Sequence, residues 1–157
     1  MTEYYKNKLK SGHEYQDFIM EQLIKHGIII QVYSSAKYQH EKGESICGIE
    51  IKYDSLIKET GNLYIEVAEK SNEQISEFTP SGIFRDDNTW LYLIGDYEEA
   101  YLFSKKQLQA VMSSQKMKDK RGIKEVKTDT SVGYLYPKDE VIKHNTCLKV
   151  FNFTKEE

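Results

Sequence analysis

The sequence predicts one layered domain of the α/β or α+β class, and three observations lead to that prediction. The chain has 157 residues, which suits one domain and suffices to bury a core without disulfides. Its strand-like segments are grouped between two helical segments, and no internal repeat or flexible linker divides them. Hydrophobic residues make up 39% and charged residues 30%, a balance typical of folded proteins. We therefore expect a single domain over residues 1–157.

Residues 12–26 are predicted to form an amphipathic helix that ends at Gly27, a frequent helix terminator. Apolar side chains recur there at helical spacing, at Tyr15, Phe18, Ile19, Leu23 and Ile24. The β-branched run at 28–32 predicts a strand, because it is too short for a second helix. The polar segment 37–45 predicts a loop.

Two strands with alternating side chains follow, at 47–53 and 63–67. The turn residues Gly61 and Asn62 between them predict a hairpin. Apolar side chains occupy one face of each strand. The opposite face carries the charged residues Glu50, Lys52 and Asp54 on the first strand and Glu66 on the second. If these two rows share a face, three carboxylates and one amine converge.

The segment at 89–96 is almost wholly apolar, which predicts a strand at the centre of the sheet. Trp90 opens this strand, so its indole is predicted to pack in the core, with base stacking as the weaker alternative. A further strand is predicted at 100–104. A helix should follow at 105–112, with Ser104 as its N-cap.

The last part of the chain is predicted to be a β-rich tail. The polar, basic segment 113–130 has no periodicity and predicts a loop. Late strands are expected at 133–137 and 147–153. This divides the domain into a core at about 12–112 and a C-terminal tail at 113–157.

Charge and cysteine content restrict the function classes. The net charge of −3 and the pI near 5.9 argue against a strongly basic nucleic-acid binder, so any such contact must use local patches. Cys47 and Cys147 have no spacing suited to zinc or to a disulfide framework, which favours a reducing compartment. The polar start has no signal-peptide pattern, and no apolar run reaches the roughly 20 residues of a membrane span. We therefore expect a cytoplasmic protein that does not contact membranes.

The charged strand faces allow two interpretations. Carboxylates brought close together repel one another unless a cation lies among them, and Mg²⁺ prefers oxygen ligands of this kind. A solvated sheet face carries the same alternation of Glu, Lys and Asp, and its ion pairs contribute little energy. Composition and alternation alone favour the solvated face.

A resemblance favours the metal site. The region at about 12–112 resembles the PD-(D/E)XK superfamily of restriction-endonuclease-like nucleases, in particular its small phage and bacterial members. Four pieces in order carry the likeness: Glu50-Ile51-Lys52-Tyr53-Asp54, Thr60-Gly61-Asn62, Ile65-Glu66 and Pro80-Ser81-Gly82-Ile83. The resemblance implies a restriction-endonuclease-like core, with a mixed sheet of four to five strands flanked by helices.

The resemblance also implies roles for individual residues. Asp54 and Glu66 match the metal-binding carboxylates, and Glu50 would flank the metal or bind a second ion. The superfamily's lysine is expected at position 68, which here is alanine. Lys52 is the predicted replacement, assisting the attacking water from the adjacent strand.

Three auxiliary residues complete the predicted site. Lys70 competes with Lys52 for the role of the catalytic lysine. Gln16 matches the helix position that the superfamily often aims at the metal, although a plain solvated residue explains it equally well. Ser81 is expected to shape a turn, with contact to the substrate backbone as the alternative.

The implied function is an Mg²⁺- or Mn²⁺-dependent endonuclease that hydrolyses phosphodiester bonds in DNA, encoded by a phage or mobile element. A homodimer would help it act on both strands. The alternative, favoured by Ala68, is a catalytically silent module of the same fold that binds nucleic acid or a protein partner. A third reading is an interaction domain whose strand charges only maintain solubility.

Overall fold

The computed structural model describes residues 3–154, which form an α/β arrangement of two four-stranded sheets with helices around them. The helices are α1 (Glu3–Lys25), α2 (Ala36–Lys42), α3 (Ile57–Thr60), α4 (Lys105–Ser113), α5 (Gln115–Lys120) and α6 (Lys138–Lys143). The strands are β1 (Ile49–Tyr53), β2 (Asn62–Glu69), β3 (Thr79–Pro80), β4 (Leu91–Gly95), β5 (Glu99–Ser104), β6 (Lys124–Lys127), β7 (Ser131–Pro137) and β8 (Lys149–Asn152). The α/β class and the mixed four-stranded sheet are confirmed.

The mixed sheet has the strand order β1-β4-β5-β8. β1 runs parallel to β4, whereas β5 is antiparallel to both β4 and β8. Every residue of β4 is buried, so the predicted central strand is confirmed. The predicted helix after β5 is confirmed as α4. Ser104 is its N-cap as predicted, because its hydroxyl accepts a hydrogen bond from the Gln107 N–H.

The second sheet is antiparallel and has the strand order β3-β2-β7-β6. β2 pairs with β7 from Asn62↔Pro137 to Glu69↔Ser131. The C-terminal segment contributes strands to both sheets: β6 and β7 belong to the second sheet, and β8 lies at the edge of the mixed sheet.

The predicted hairpin of the two charged strands is wrong. β1 pairs with β4 and β2 pairs with β7, so the two strands belong to different sheets. β4 offers β1 a wholly buried parallel neighbour, and β7 offers β2 a long antiparallel ladder. Turn residues between two strands do not outweigh such long-range partners. Asp54 still links the two sheets, because its N–H donates to Gly95 O and its carboxylate accepts from the Tyr64 N–H.

Several element boundaries also differ from prediction. The predicted strand at 28–32 is absent except for a single bridge between Val32 and Ser45, because Ile28, Ile30 and Val32 pack into the hydrophobic cluster beside α1 without joining a sheet. The predicted loop at 37–45 is largely α2, and the predicted loop at 113–130 contains α5 and β6. The first helix begins at Glu3 rather than near residue 12.

Two hydrophobic clusters fix the layers. One lies between α1 and the mixed sheet and includes Tyr15, Ile19, Ile51 and Leu93. The other lies between the two sheets and includes Leu63, Ile65, Tyr92, Phe103 and Tyr136. Because side chains alternate along β1, burial of Ile49 and Ile51 toward α1 turns Glu50 and Lys52 toward the second sheet. No helix in the described part of the chain is long and apolar enough to cross a membrane.

Candidate active site

A cleft of about 920 Å³ opens where α1 meets β1, β2 and β4. Its polar lining comes from α1, from α2 and its C-terminal flank, and from the three strands. The lining includes His13, Gln16, Gln39, Glu44, Lys52, Asp54, Tyr64, Glu66 and Tyr92. The cleft therefore gathers three carboxylates and one ammonium group, although β1 and β2 belong to different sheets.

Asp54 follows β1 directly and is held by backbone donors. Its Oδ1 accepts from the Leu56 N–H at 3.1 Å, and its Oδ2 accepts from the Tyr64 N–H at 2.9 Å. Burial raises the pKa of the Asp54 carboxyl above its usual value, although these two N–H donors oppose the shift. Each oxygen keeps a lone pair for one further interaction, because a carboxylate oxygen can accept two hydrogen bonds.

Glu66 lies on β2 and is held by two hydroxyl groups. Ser81 Oγ donates to its Oε1 at 2.8 Å, and Ser131 Oγ donates to its Oε2 at 3.2 Å. Ser81 reaches Glu66 because the chain beside it runs against β2. A Cβ at Gly82, where φ is +51°, would lie 2.3 Å from the backbone oxygen of Glu66. The Pro-Ser-Gly turn thus fixes the carboxylate's orientation.

The Lys52 ammonium group lines the cleft and is paired with two carboxylates. Its Nζ lies 2.8 Å from Glu50 Oε1 and 3.6 Å from Glu44 Oε1. Burial alone would lower the pKa of Lys52, but the carboxylates of Glu50 and Glu44 outweigh burial and raise it well above its usual value. The amine is therefore protonated over the physiological pH range. Burial raises the pKa of Glu50, and the Lys52 charge opposes that shift.

Two buried polar atoms beside this ion pair have no hydrogen-bond partner within residues 3–154. They are Glu50 Oε2 and the Tyr92 hydroxyl oxygen. Glu50 and Tyr92 are register partners across β1 and β4, so their side chains share the face that meets the second sheet. Sequence reasoning missed Tyr92. The alternation of β4 is the signal that would have indicated it, once β1 and β4 were known to pair.

The structure brings Gln16, Lys52, Asp54 and Glu66 to one cleft. Glu50 does not line it, since its side chain is almost fully buried behind Lys52. Glu44 lines the cleft although its position in a polar segment gave no signal for it.

The two remaining auxiliary residues lie outside the cleft. Lys70 donates to the Glu73 carbonyl at 3.2 Å and lies over the Phe78 ring, so it does not compete with Lys52. Ser81 both begins a short 3-10 turn and holds Glu66, so its turn role extends to orienting a cleft residue.

The cleft offers a cation two of the three predicted carboxylates, those of Asp54 and Glu66. Within residues 3–154, no group of three or more His, Cys, Asp or Glu side chains is arranged to hold a metal ion. The Glu50 carboxylate, the predicted third ligand, is instead paired with Lys52. Mg²⁺ is commonly bound through one or two carboxylates, with water and substrate phosphate completing its octahedron. The oxygen donors of Asp54 and Glu66 suit that pattern.

Several of the residues that carry the nuclease resemblance lie in or beside this cleft. Lys52, Asp54 and Glu66 line it, and Ser81 contacts Glu66. Comparisons with protein-family models, with curated proteins and with solved structures find no match for this chain. The restriction-endonuclease-like core therefore stays a prediction.

Proposed function

We propose that this protein hydrolyses phosphodiester bonds in DNA, with a divalent cation, Mg²⁺ or Mn²⁺, held by Asp54 and Glu66. One observation carries the proposal: both carboxylates line the same cleft as the Lys52 ammonium group. Their oxygens are oriented by hydrogen bonds that leave acceptor capacity for a ligand. When bound, such a cation lowers the pKa of a coordinated water and stabilises charge on the phosphate.

Lys52 contributes as a hydrogen-bond donor and a positive charge, not as a base. Its raised pKa keeps it protonated, so it cannot take a proton from the attacking water. Its ammonium group can donate hydrogen bonds to a phosphate oxygen or orient the water through its N–H groups. Glu50 and Glu44 hold the amine in place before substrate arrives. This preorganisation lowers the cost of ordering the amine during the reaction.

Glu66→Gln is the sharpest test of this function. The amide oxygen of the glutamine can still accept from one serine, and the other serine hydroxyl can reverse to accept from the amide NH2, so the fold should persist. The carboxylate charge is lost, and we expect cleavage of a plasmid with Mg²⁺ to fall by at least about 100-fold, the scale of losing one charge-stabilising group.

Glu69→Gln is the matched control, because Glu69 is an exposed glutamate on the same strand. This variant should cleave at the wild-type rate. Equal cleavage by wild type and Glu66→Gln would place the activity outside this cleft or in a contaminant.

A second candidate is a silent module of the same fold that binds nucleic acid or a protein partner. Two observations favour it: both Glu66 oxygens already accept hydroxyl donors, and the Lys52 charge is countered by two carboxylates. Ala68 gives no side chain in place of the missing lysine, and it pairs with Pro80 and Val132 within the sheet. Wild-type protein that binds labelled DNA but leaves it intact with both Mg²⁺ and Mn²⁺ would favour this candidate.

A further inference from the structure

Trp90 is exposed, contrary to the predicted core position. Its side chain is 61% accessible although it directly precedes the wholly buried β4. The indole Nε1 donates to the Cys47 carbonyl at 2.8 Å. The ring also lies against Gly48, where a Cβ would be 2.5 Å from Trp90 Cδ1. The indole is therefore held in a fixed orientation while much of its surface faces solvent.

The indole borders a second cavity, of about 500 Å³, whose charged lining is net positive. Arg85, Lys105 and Lys106 supply three positive charges against the two negative charges of Asp86 and Asp87. The Asp87 carboxylate is already engaged, at 2.9 Å from Lys105 Nζ and 3.4 Å from Arg85 Nε. Lys106 is exposed and forms no ion pair with any residue from 3 to 154. It is the cation most available to a ligand at this cavity.

The second cavity adjoins the candidate active site across α2. Gln39 lines the first cleft, and its carbonyl accepts from Arg85 Nη2 at 2.7 Å. Arg85 lines the second cavity. The Asn88 N–H also donates to the Lys42 carbonyl at the end of α2.

We propose that the second cavity binds an unpaired nucleotide of a nucleic-acid strand, with its base stacked on Trp90 and a neighbouring phosphate on Lys106. The choice of a nucleic acid rests on the proposed function. Aromatic side chains beside a positively charged groove bind single strands because every base offers a π-face. A base inside a duplex is stacked on both sides and offers none to the indole, so the site discriminates in favour of single strands.

The chain contains one tryptophan, so its fluorescence reports on this site alone. The protein is titrated in EDTA with dT12, with dTMP and with a blunt 12-base-pair duplex. We expect dT12 to quench the emission, with dTMP and the duplex each binding at least about tenfold more weakly. Absence of quenching by dT12, or equal affinity for the duplex or for dTMP, would overturn the proposal.

Variants separate stacking from general charge attraction. By anisotropy of labelled dT12, Trp90→Ala should bind at least about fivefold more weakly, the lower end of the loss for one stacked base. Trp90→Phe should retain part of the affinity. Leu148→Ala removes an equally exposed apolar side chain that lines neither cavity and should bind like wild type. Equal binding by Trp90→Ala and wild type would refute stacking, and the melting temperature of each variant shows that it is folded.

Lys106→Ala tests the phosphate contact. It should weaken dT12 binding and make it less dependent on salt, because one fewer counterion is released. Lys116→Ala, an exposed lysine on α5, is its control. An equal effect of the two substitutions would contradict a specific phosphate contact. All binding is measured without metal, so the two proposals can fail separately. DNA cleavage without fluorescence quenching by dT12 would refute only this inference. Quenching without cleavage would refute only the proposed hydrolysis.

Discussion

Replacing Lys52 by methionine removes the ammonium group that compensates a buried carboxylate, while it keeps most of the apolar stem. Glu50 is 1% exposed, and one of its oxygens already lacks a partner within the described residues. Breaking a buried pair by removing one partner costs about 3–5 kcal/mol. The Lys52 side chain is 34% exposed, so water reaches its end of the pair and reduces the cost. We therefore expect Lys52→Met to lower the free energy of unfolding by about 2–4 kcal/mol at pH 8.

The loss should shrink as the pH falls. Burial already raises the pKa of Glu50 in the folded protein, and removing Lys52 takes away the charge that opposes this shift. When the pKa of a carboxyl is higher in the folded state than in the unfolded state, the folded state binds more protons at any pH between these two pKa values. The free energy of unfolding therefore rises as the pH falls through the folded-state pKa of Glu50. Lys52→Met should gain more stability on this change than the wild type does.

Urea denaturation at pH 8 and pH 5 measures both effects. The double variant Glu50→Gln/Lys52→Met removes the buried charge altogether and should recover at least half of the stability lost at pH 8. An equal loss at the two pH values, or no recovery in the double variant, would show that the Glu50 charge is not what Lys52 compensates.

Three further predictions concern the same region. Asp54→Asn should lower the free energy of unfolding by about 1–3 kcal/mol, because an amide cannot accept from both backbone N–H groups that the carboxylate binds. Glu66→Gln should lower it by less than about 1 kcal/mol, and equal losses in urea denaturation would contradict this reading. Mg²⁺ at 100 times its Kd should stabilise the wild type by about 2.7 kcal/mol and raise its melting temperature, and an equal rise in Glu66→Gln would exclude Glu66 as a ligand. Gly48→Ala should lower the free energy of unfolding by at least about 1 kcal/mol more than Gly27→Ala does, and it should shift the Trp90 emission. Both glycines have positive φ, but only at Gly48 would the new Cβ meet the indole. Similar losses of stability and an unchanged emission spectrum would refute that contact.

Local patterns in the sequence predicted many of the elements correctly. The period of α1 and the Gly27 that follows it, the apolar run of β4 and the N-cap at Ser104 each depend on neighbours within a few residues. The alternation of side chains along β1, which places Glu50 and Lys52 on one face and Ile49 and Ile51 on the other, also depends only on neighbouring residues. Such features are present in the sequence itself because backbone geometry sets their spacing.

Strand pairing was not predictable in this way. Gly61 and Asn62 lie between two strands and predict a hairpin, yet β1 pairs with β4 and β2 pairs with β7. The choice depends on how much surface each pairing buries, and the competing partners are distant in sequence. The 28–32 segment likewise forms only one bridge, between Val32 and Ser45, because its apolar side chains find their burial in the cluster beside α1, which is also distant in sequence.

The candidate site shows both contributions. The sequence alone, through alternation and an ordered resemblance, pointed to Lys52, Asp54 and Glu66, which line one cleft. Only the tertiary structure brought Tyr92 beside Glu50, turned Lys70 away and exposed Trp90. The physical reason is that residue types and spacing determine which face of an element a side chain occupies, whereas the packing of two sheets and α1 determines what that face meets.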